Sequence, residues 1–311
     1  MSSTTAVTPN AVPGVAERPM TGSATRRGRP HEPGAARPWV RVVLAVICLV
    51  WIVPTIGLLI TSFRASDDAN SSGWWTIFTN PGSLTHLTFS NYSAIFSRTN
   101  LGQAFINNLA ISIPATIIPI LIAAFAAYAF TFMNFPGRDW LLILIVALLV
   151  VPNQVAFVPL LKIYGSLGIT GTFLAVWGAH IGFGMSLAVY LIRNYMSTLP
   201  KEVIESAKVD GASHFQTFWR LIVPMSTPAL ASFAIFQFLW VWNDFLIGLI
   251  FIGPGDNQTL NVALNGLLGQ QGQGWQLLTA GAFFTMLLPI IVFLSLQRYF
   301  VRGLTAGSVK G

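Results

Sequence analysis

The sequence predicts an all-α, polytopic membrane protein with six transmembrane helices and a cytoplasmic helix-turn-helix loop between the fourth and fifth. Three observations carry that prediction. Of 311 residues, 54% are hydrophobic and 9% charged, against about 25% charged in soluble domains. Six apolar stretches can each cross a hydrocarbon layer of ~30 Å, which takes roughly 20 helical residues. Within them apolar residues run continuously and do not alternate, which argues against a transmembrane β-barrel.

Residues 1–37 are rich in Ala, Pro, Gly, Ser, Thr and Arg and poor in large apolar side chains. Such a segment cannot bury enough surface to offset its ordering entropy, so a disordered cytoplasmic tail is expected. It is too long and polar before its apolar run for a simple cleavable signal peptide. Its string Arg26, Arg27, Arg29 has two readings: contact with anionic lipid, or a solvated tail held inside by its charge.

The six spans are placed near residues 40–62, 105–132, 139–163, 172–195, 228–252 and 277–299. Together they form one transmembrane domain over 38–300, followed by a cytoplasmic tail over 301–311. Pro54, Pro114, Pro119, Pro152, Pro159 and Pro289 fall inside the spans. Membrane helices tolerate proline because neighbouring helices, Ser/Thr side chains and water satisfy the freed carbonyls.

Lys and Arg set the orientation. With the N-terminus inside, 14 of the 17 basic residues lie in the N-terminal tail, the second-to-third connection, the fourth-to-fifth connection and the C-terminal end. Arg64, Arg98 and Lys162 are the exceptions. This asymmetry places both termini in the cytoplasm. It also turns the formal charge of +7 into an orientation signal, which removes the case for nucleic-acid binding. The largest outer segment, about residues 63–104, carries Trp74, Trp75 and Tyr92, which suit a membrane interface or an external partner. The single cysteine, Cys48, cannot form an internal disulfide, and no metal-ligand spacing is present.

The loop over 197–226 is the longest well-charged passage between apolar runs. Pro200 suits a first helical turn. Val203, Ile204 and Ala207 then share one side, while Glu202, Glu205 and Lys208 share another. Lys201 and Glu205 stand four apart, a spacing for a weak ion pair. Asp210-Gly211 is a turn signal, with Gly suited to a left-handed cap. A second short helix is expected from Ala212 to Arg220, presenting Phe215, Phe218 and Trp219, with Pro224 and Pro228 ending it and starting the next span. From these residues alone, a docking platform and an unpartnered interfacial connector are equally good readings.

Glu205-Ser206-Ala207, then Gly211, Leu221 and Val223-Pro224, resembles the loop of bacterial ABC importer permeases named for its Glu-Ala-Ala start. The family spacing is kept throughout, with Ser, Leu and Val substituting for residues of similar size. The triplet Asp210-Gly211-Ala212 is also typical. VPNQVAFVPLLKIYGSLGITGT, VWNDFL and the ending LQRYFVRGLTAGSVKG are similar to the smaller, six-span permease of maltose-type carbohydrate importers. HIGFGMSLAVYLIRNYM and RGLTAGSVKG look most like α-glucoside or trehalose relatives.

The resemblance implies one permease subunit of an ATP-driven sugar importer in the bacterial inner membrane. Its implied partners are a second homologous permease, an ATPase homodimer, an extracytoplasmic sugar-binding protein and membrane lipid. Glu202, Glu205, Ala207, Asp210, Gly211, Ala212, Phe215 and Pro224 would couple to the ATPase. Gly303, Thr305 and Gly307 in the C-terminal tail would contact it as well. Phe215, Phe218 and Trp219 would either fill an ATPase cleft or pack under the loop. No Gly-rich phosphate loop is present, so ATP and Mg would sit on the partner ATPase and no cofactor or catalytic residue on this chain.

Polar residues at membrane depth are the translocation-path candidates: Asn153, Gln154, His180, Gln237, Asn243 and Asp244. Apart from Asp139 at the very start of the third, Asp244 is the one acidic residue in a predicted span. Such carboxylates face a cavity or a partner, and a position in water near the outer end of the span is the alternative. It also carries the rival mechanism, a proton-coupled secondary transporter. An intramembrane hydrolase built on Ser186 and His180 fails on geometry, since six residues turn about 600° and point the two to different faces.

Overall fold

The computed structural model describes residues 38–267 and 274–305, and side chains as far as residue 298. The predicted disordered tail over 1–37 and position Gly307 lie outside the described residues. The chain divides into two compact units, residues 1–51 and 52–311. The described part of the first is helix alone. Among the described residues the structure is helical, apart from one isolated antiparallel bridge between Arg64 and Leu87.

The spans are α1 (Pro38–Phe63), α2 (Leu101–Phe132), the pair α3 (Arg138–Ala147) and α4 (Asn153–Ser166), then α5 (Phe173–Met196). Next comes the loop, α6 (Lys201–Val209) and α7 (His214–Met225). The chain ends with α8 (Thr227–Asn243), α9 (Leu246–Phe251), α10 (Leu260–Asn265) and α11 (Trp275–Thr305). Four helices, α1, α2, α5 and α11, are long and apolar enough to cross a membrane. Two bent pairs, α3 with α4 and α7 with α8, raise the count to six when each is one crossing.

The third span departs from the predicted single helix over 139–163. It turns by 102° between Val150 and Asn153. Pro152 takes an extended conformation there (ψ 124°). A proline lacks the N–H that would continue the helix, and it disfavours the helical state of the residue before it. Pro54, Pro114, Pro119, Pro159 and Pro289, by contrast, lie inside continuous helices.

The predicted fifth span over 228–252 is also interrupted. α8 stops at Asn243, and Asp244 is extended (ψ 132°) before α9 begins. Asp244 is thus at a break and not within a helix. Pro224 does not end the loop's second helix as expected. The helix starts at His214, not Ala212, and runs past Pro224 to Met225. A π-helical turn over Phe218–Ile222 precedes the proline, and the Val223 N–H bonds back to Phe218 O. That wider turn relieves the clash of Pro224 with the carbonyl four residues earlier. At the C-terminal end, α11 runs to Thr305, so Gly303 and Thr305 continue a helix where a separate tail from 301 is expected.

Packing in residues 52–311 follows membrane rules. Small residues let α2 and α5 approach closely: Ala123, Ala127 and Ala188 are fully buried in one cluster. Gly178 of α5 faces α4, and a methyl there would meet the Tyr164 hydroxyl at 2.5 Å. The cluster that holds the ends of α2 and α5 also contains Ile204 of α6 and Phe218 and Ile222 of α7. The loop is therefore seated on the helix ends and not detached from them.

Candidate functional site

Residues 197–226 build a rigid helix pair. At the end of α6, Ala212 N–H bonds Ala207 O at 2.9 Å and Gly211 N–H bonds Lys208 O at 3.1 Å. Gly211 has φ +76°. These two bonds and a left-handed glycine form a Schellman cap, which satisfies carbonyls a helix end leaves free. Ala207, Asp210, Gly211 and Ala212, four of the predicted coupling residues, are all members of this one cap. α7 then starts on a capping box: Gln216 N–H donates to Ser213 Oγ at 3.2 Å, and Ser213 N–H donates to Gln216 Oε1 at 2.9 Å. Such a cap is worth about 1 kcal/mol.

Two faces result. Ile204, Ala207 and Phe218 are buried against the span ends. The opposite face carries Glu202 and Glu205, both exposed, with Val209 87% and Phe215 66% exposed on either side of the turn. Val209 and Phe215 are thus the open apolar side chains that flank the turn. Trp219 is 40% exposed. Phe218 packs under the loop, its ring stacked on Phe125 of α2 at 4.4 Å. Lys201 and Glu205 do not come within ion-pair distance, so the expected pair is not made. Pro224 sits in the last turn of α7.

Sequence reasoning missed the fastening to α2. The Tyr128 hydroxyl meets His214 Nδ1 at 2.9 Å. With the Phe125–Phe218 stack, this ties α7 to α2 at two successive turns. The signal was present: Phe125 and Tyr128 are three apart on one helix face.

The membrane candidates separate into three groups. Asn153 and Gln237 come together. A cavity of about 250 Å³ is lined by Asn153, Phe183, Gly184, Phe236, Gln237 and Trp240, with Leu148, Leu149 and Leu187. A second, of about 310 Å³, shares Leu148, Asn153 and Phe183 with it and reaches Tyr164 and Ser186. Gln237 is 1% exposed. Its Nε2 donates to Ala115 O at 3.1 Å and to His180 O at 3.4 Å, joining α8 to α2 and α5. His180 stands behind the cavity, its ring edge-on to Trp240 at 5.0 Å. Gln154 is exposed and lines neither cavity.

Asn243 and Asp244 line neither cavity; they belong to the break after α8. Asn243 Nδ2 donates to Leu239 O at 2.7 Å. Asp244 Oδ2 accepts from Ile247 N–H at 2.7 Å, which makes it a cap for α9. The carbonyls freed at the break are also met: Asn261 Nδ2 reaches Trp242 O at 3.0 Å and Asp244 O at 3.2 Å, and Asn108 Nδ2 reaches Trp242 O at 3.2 Å. Asn107 does the same for Asp256 O and Gln258 O at 2.7 and 3.1 Å. The pair Asn107-Asn108 inside an apolar span was the available signal for this bracing. No group of His, Cys, Asp and Glu among the described residues has the geometry of a metal site.

The profile of the family described as binding-protein-dependent transport system inner membrane component matches residues 119–306. The osmoprotective compounds uptake permease protein GgtD of Synechocystis is 52% identical over 87% of this chain and 91% of its own length. The alpha-glucoside transport system permease protein AglG of Rhizobium meliloti is 54% identical over 72% of this chain and 60% of its own. Among solved structures, a chain of a bacterial alginate ABC transporter, in complex with an alginate pentasaccharide-bound periplasmic protein, superposes with a TM-score of 0.60. The likeness covers 82% of this chain and 92% of that one at 14% identity, a likeness of fold.

Proposed function

Because this chain belongs to the family of inner membrane components of binding-protein-dependent transport systems, we propose that it is one permease subunit of an ATP-driven carbohydrate importer. Its substrate is a di- or oligosaccharide of the α-glucoside class, such as maltose or trehalose. It supplies half of the translocation path and pairs with a second homologous permease. An ATPase homodimer carrying ATP and Mg docks on the loop 197–226 at the cytoplasmic face, and Glu202, Glu205, Asp210, Phe215 and Pro224 lie at or near that contact. Gly303, Thr305 and Gly307 approach the same ATPase. An extracytoplasmic binding protein delivers the sugar, and both termini are cytoplasmic.

The observation that carries this reading is the loop itself. A Schellman-capped helix pair, fixed to α2 through Tyr128 and Phe218, holds Glu205, Val209 and Phe215 outward. A rigid arm with an open apolar face is what a pushing partner requires, since rigid-body motion of packed helices can switch a cavity from one side to the other. The substrate class rests on the name of the Rhizobium relative. The proton-coupled alternative needs an uncommitted carboxylate, and Asp244 is already occupied as a helix cap.

The test is uptake of labelled maltose and trehalose into right-side-out vesicles from cells with and without this chain, supplied with their own binding protein. The reading expects uptake only with the chain present and only with hydrolysable ATP inside. Uptake driven by a proton gradient in the presence of a non-hydrolysable analogue would overturn it.

A further inference from the structure

We propose that Trp240 is the sugar-contact residue of this subunit, and that the cavity it lines with Asn153 and Gln237 is a mid-span subsite for one pyranose ring. The inference rests on the carbohydrate reading above and adds to it a site on this chain. A pyranose presents an apolar face of C–H bonds and a rim of hydroxyls. A site for it needs an aromatic wall and a few fixed polar groups.

The cavity has both. Trp240 and Phe183 supply aromatic surface, and about 250 Å³ lies against them. Trp240 is half-buried, so one part of the indole is held and another is open. The held part meets the His180 ring edge-on at 5.0 Å and 85°, an arrangement that fixes an aromatic orientation. The polar groups are complementary. Gln237 spends both amide hydrogens on Ala115 O and His180 O. What it retains for a ligand is its acceptor oxygen. Gly184 makes room for this amide, since a methyl there would come within 2.7 Å of it. Among the described residues Asn153 makes no side-chain hydrogen bond, and it lines both adjoining cavities, so its donors and acceptor are uncommitted there. The site therefore offers one fixed acceptor, one free amide and an aromatic face.

Position agrees: Gln237 lies ten residues into the 17-residue α8, roughly 15 Å along its axis and away from both ends. The cavity is open where Leu148 and Phe236 are 52% and 51% exposed. That face is where the second permease would complete the site.

The experiment uses the whole transporter, purified with its ATPase and second permease, in proteoliposomes with sugar-loaded binding protein. Sugar delivered and ATP hydrolysed are both measured. Trp240→Leu is expected to lower sugar moved per ATP hydrolysed by roughly tenfold, the factor equivalent to about 1.4 kcal/mol. Trp240→Tyr is expected to restore most of the ratio, and Asn153→Ala to lower it in the same direction. An unchanged ratio in both Trp240→Leu and Asn153→Ala would overturn the proposal. So would loss of the second permease from both purified variants, which would assign this face to subunit packing. If the unsubstituted transporter hydrolyses ATP but moves no α-glucoside, the carbohydrate reading fails first, and that result is distinct from either variant's.

Discussion

Gly211 shows how one residue aims a helix. Its φ of +76° belongs to the left-handed region, and no atom lies within 4 Å of where a Cβ would be. A substitution there costs backbone energy only, about 1–2 kcal/mol for most L-residues and less for Asn. Gly211→Asn should therefore keep ATP-driven uptake, while Gly211→Val should leave the protein in the membrane and lose most of it, as read by uptake against membrane abundance. Asp244 is the opposite case. Its carboxylate caps α9, and an Asn oxygen accepts the same bond. Asp244→Asn should retain uptake within about twofold, with no new pH dependence between about pH 6 and about pH 8. Complete loss of uptake would return the proton-coupled mechanism to consideration. The Asp210-Gly211 turn was readable because its chemistry is local. The role of Asp244 was not, because VWNDFLIGLIF reads as one apolar run, and its break is paid for by Asn108 and Asn261 from distant parts of the chain.

At the scale of elements, the fastening of α7 to α2 would, on the proposed coupling, carry motion of the loop into the spans. Phe218 is 2% exposed and stacked on Phe125. Truncating a buried Phe to Ala typically costs about 3–5 kcal/mol, whereas Tyr128→Phe removes only a hydrogen bond, about 1 kcal/mol. Phe218→Ala should sharply lower sugar moved per ATP while the ATPase still co-purifies, since Val209 and Glu205 remain on the open face. Tyr128→Phe should show a small decrease in the same ratio. Helix existence was legible from hydrophobic runs, and α1, α2 and α5 begin and end within a few residues of their expected positions, whereas α8 stops at Asn243 and α11 runs on to Thr305. The interruptions were not. A proline in a membrane helix is compatible with both a continued helix, as at Pro159, and a sharp break, as at Pro152. What decides is the packing of neighbouring helices, which one-dimensional hydropathy does not contain.

For the whole molecule, the charge asymmetry predicts an orientation, and packing groups the helix ends that share a side. The α6–α7 pair shares one buried cluster with the C-terminal parts of α2 and α5. These segments therefore occupy one side, the side to which 14 of 17 basic residues are assigned. Reporter fusions at both termini should accordingly give cytoplasmic signals. Of the candidate sites, the helix-turn-helix shape of the loop and its Asp210-Gly211 turn were legible because the spacing is short and the polarity stands out, whereas the start of α7 at His214, its run past Pro224 and the unmade Lys201–Glu205 pair were not. The cavity was only half legible. Asn153 and Gln237 stand out as amides in apolar helices, whereas Trp240 is one aromatic among many, and only the fold places it beside them. The central claim is that the capped loop over 197–226 docks an ATPase. The most direct measurement is purification of this chain from its native membrane in mild detergent, beside a Glu205→Arg/Gly211→Val double variant, with co-purifying proteins identified by mass spectrometry. The account predicts an ATPase and a second permease with the unsubstituted chain, and loss of the ATPase from the double variant. An intact chain recovered alone, or an ATPase retained equally by the variant, would contradict it.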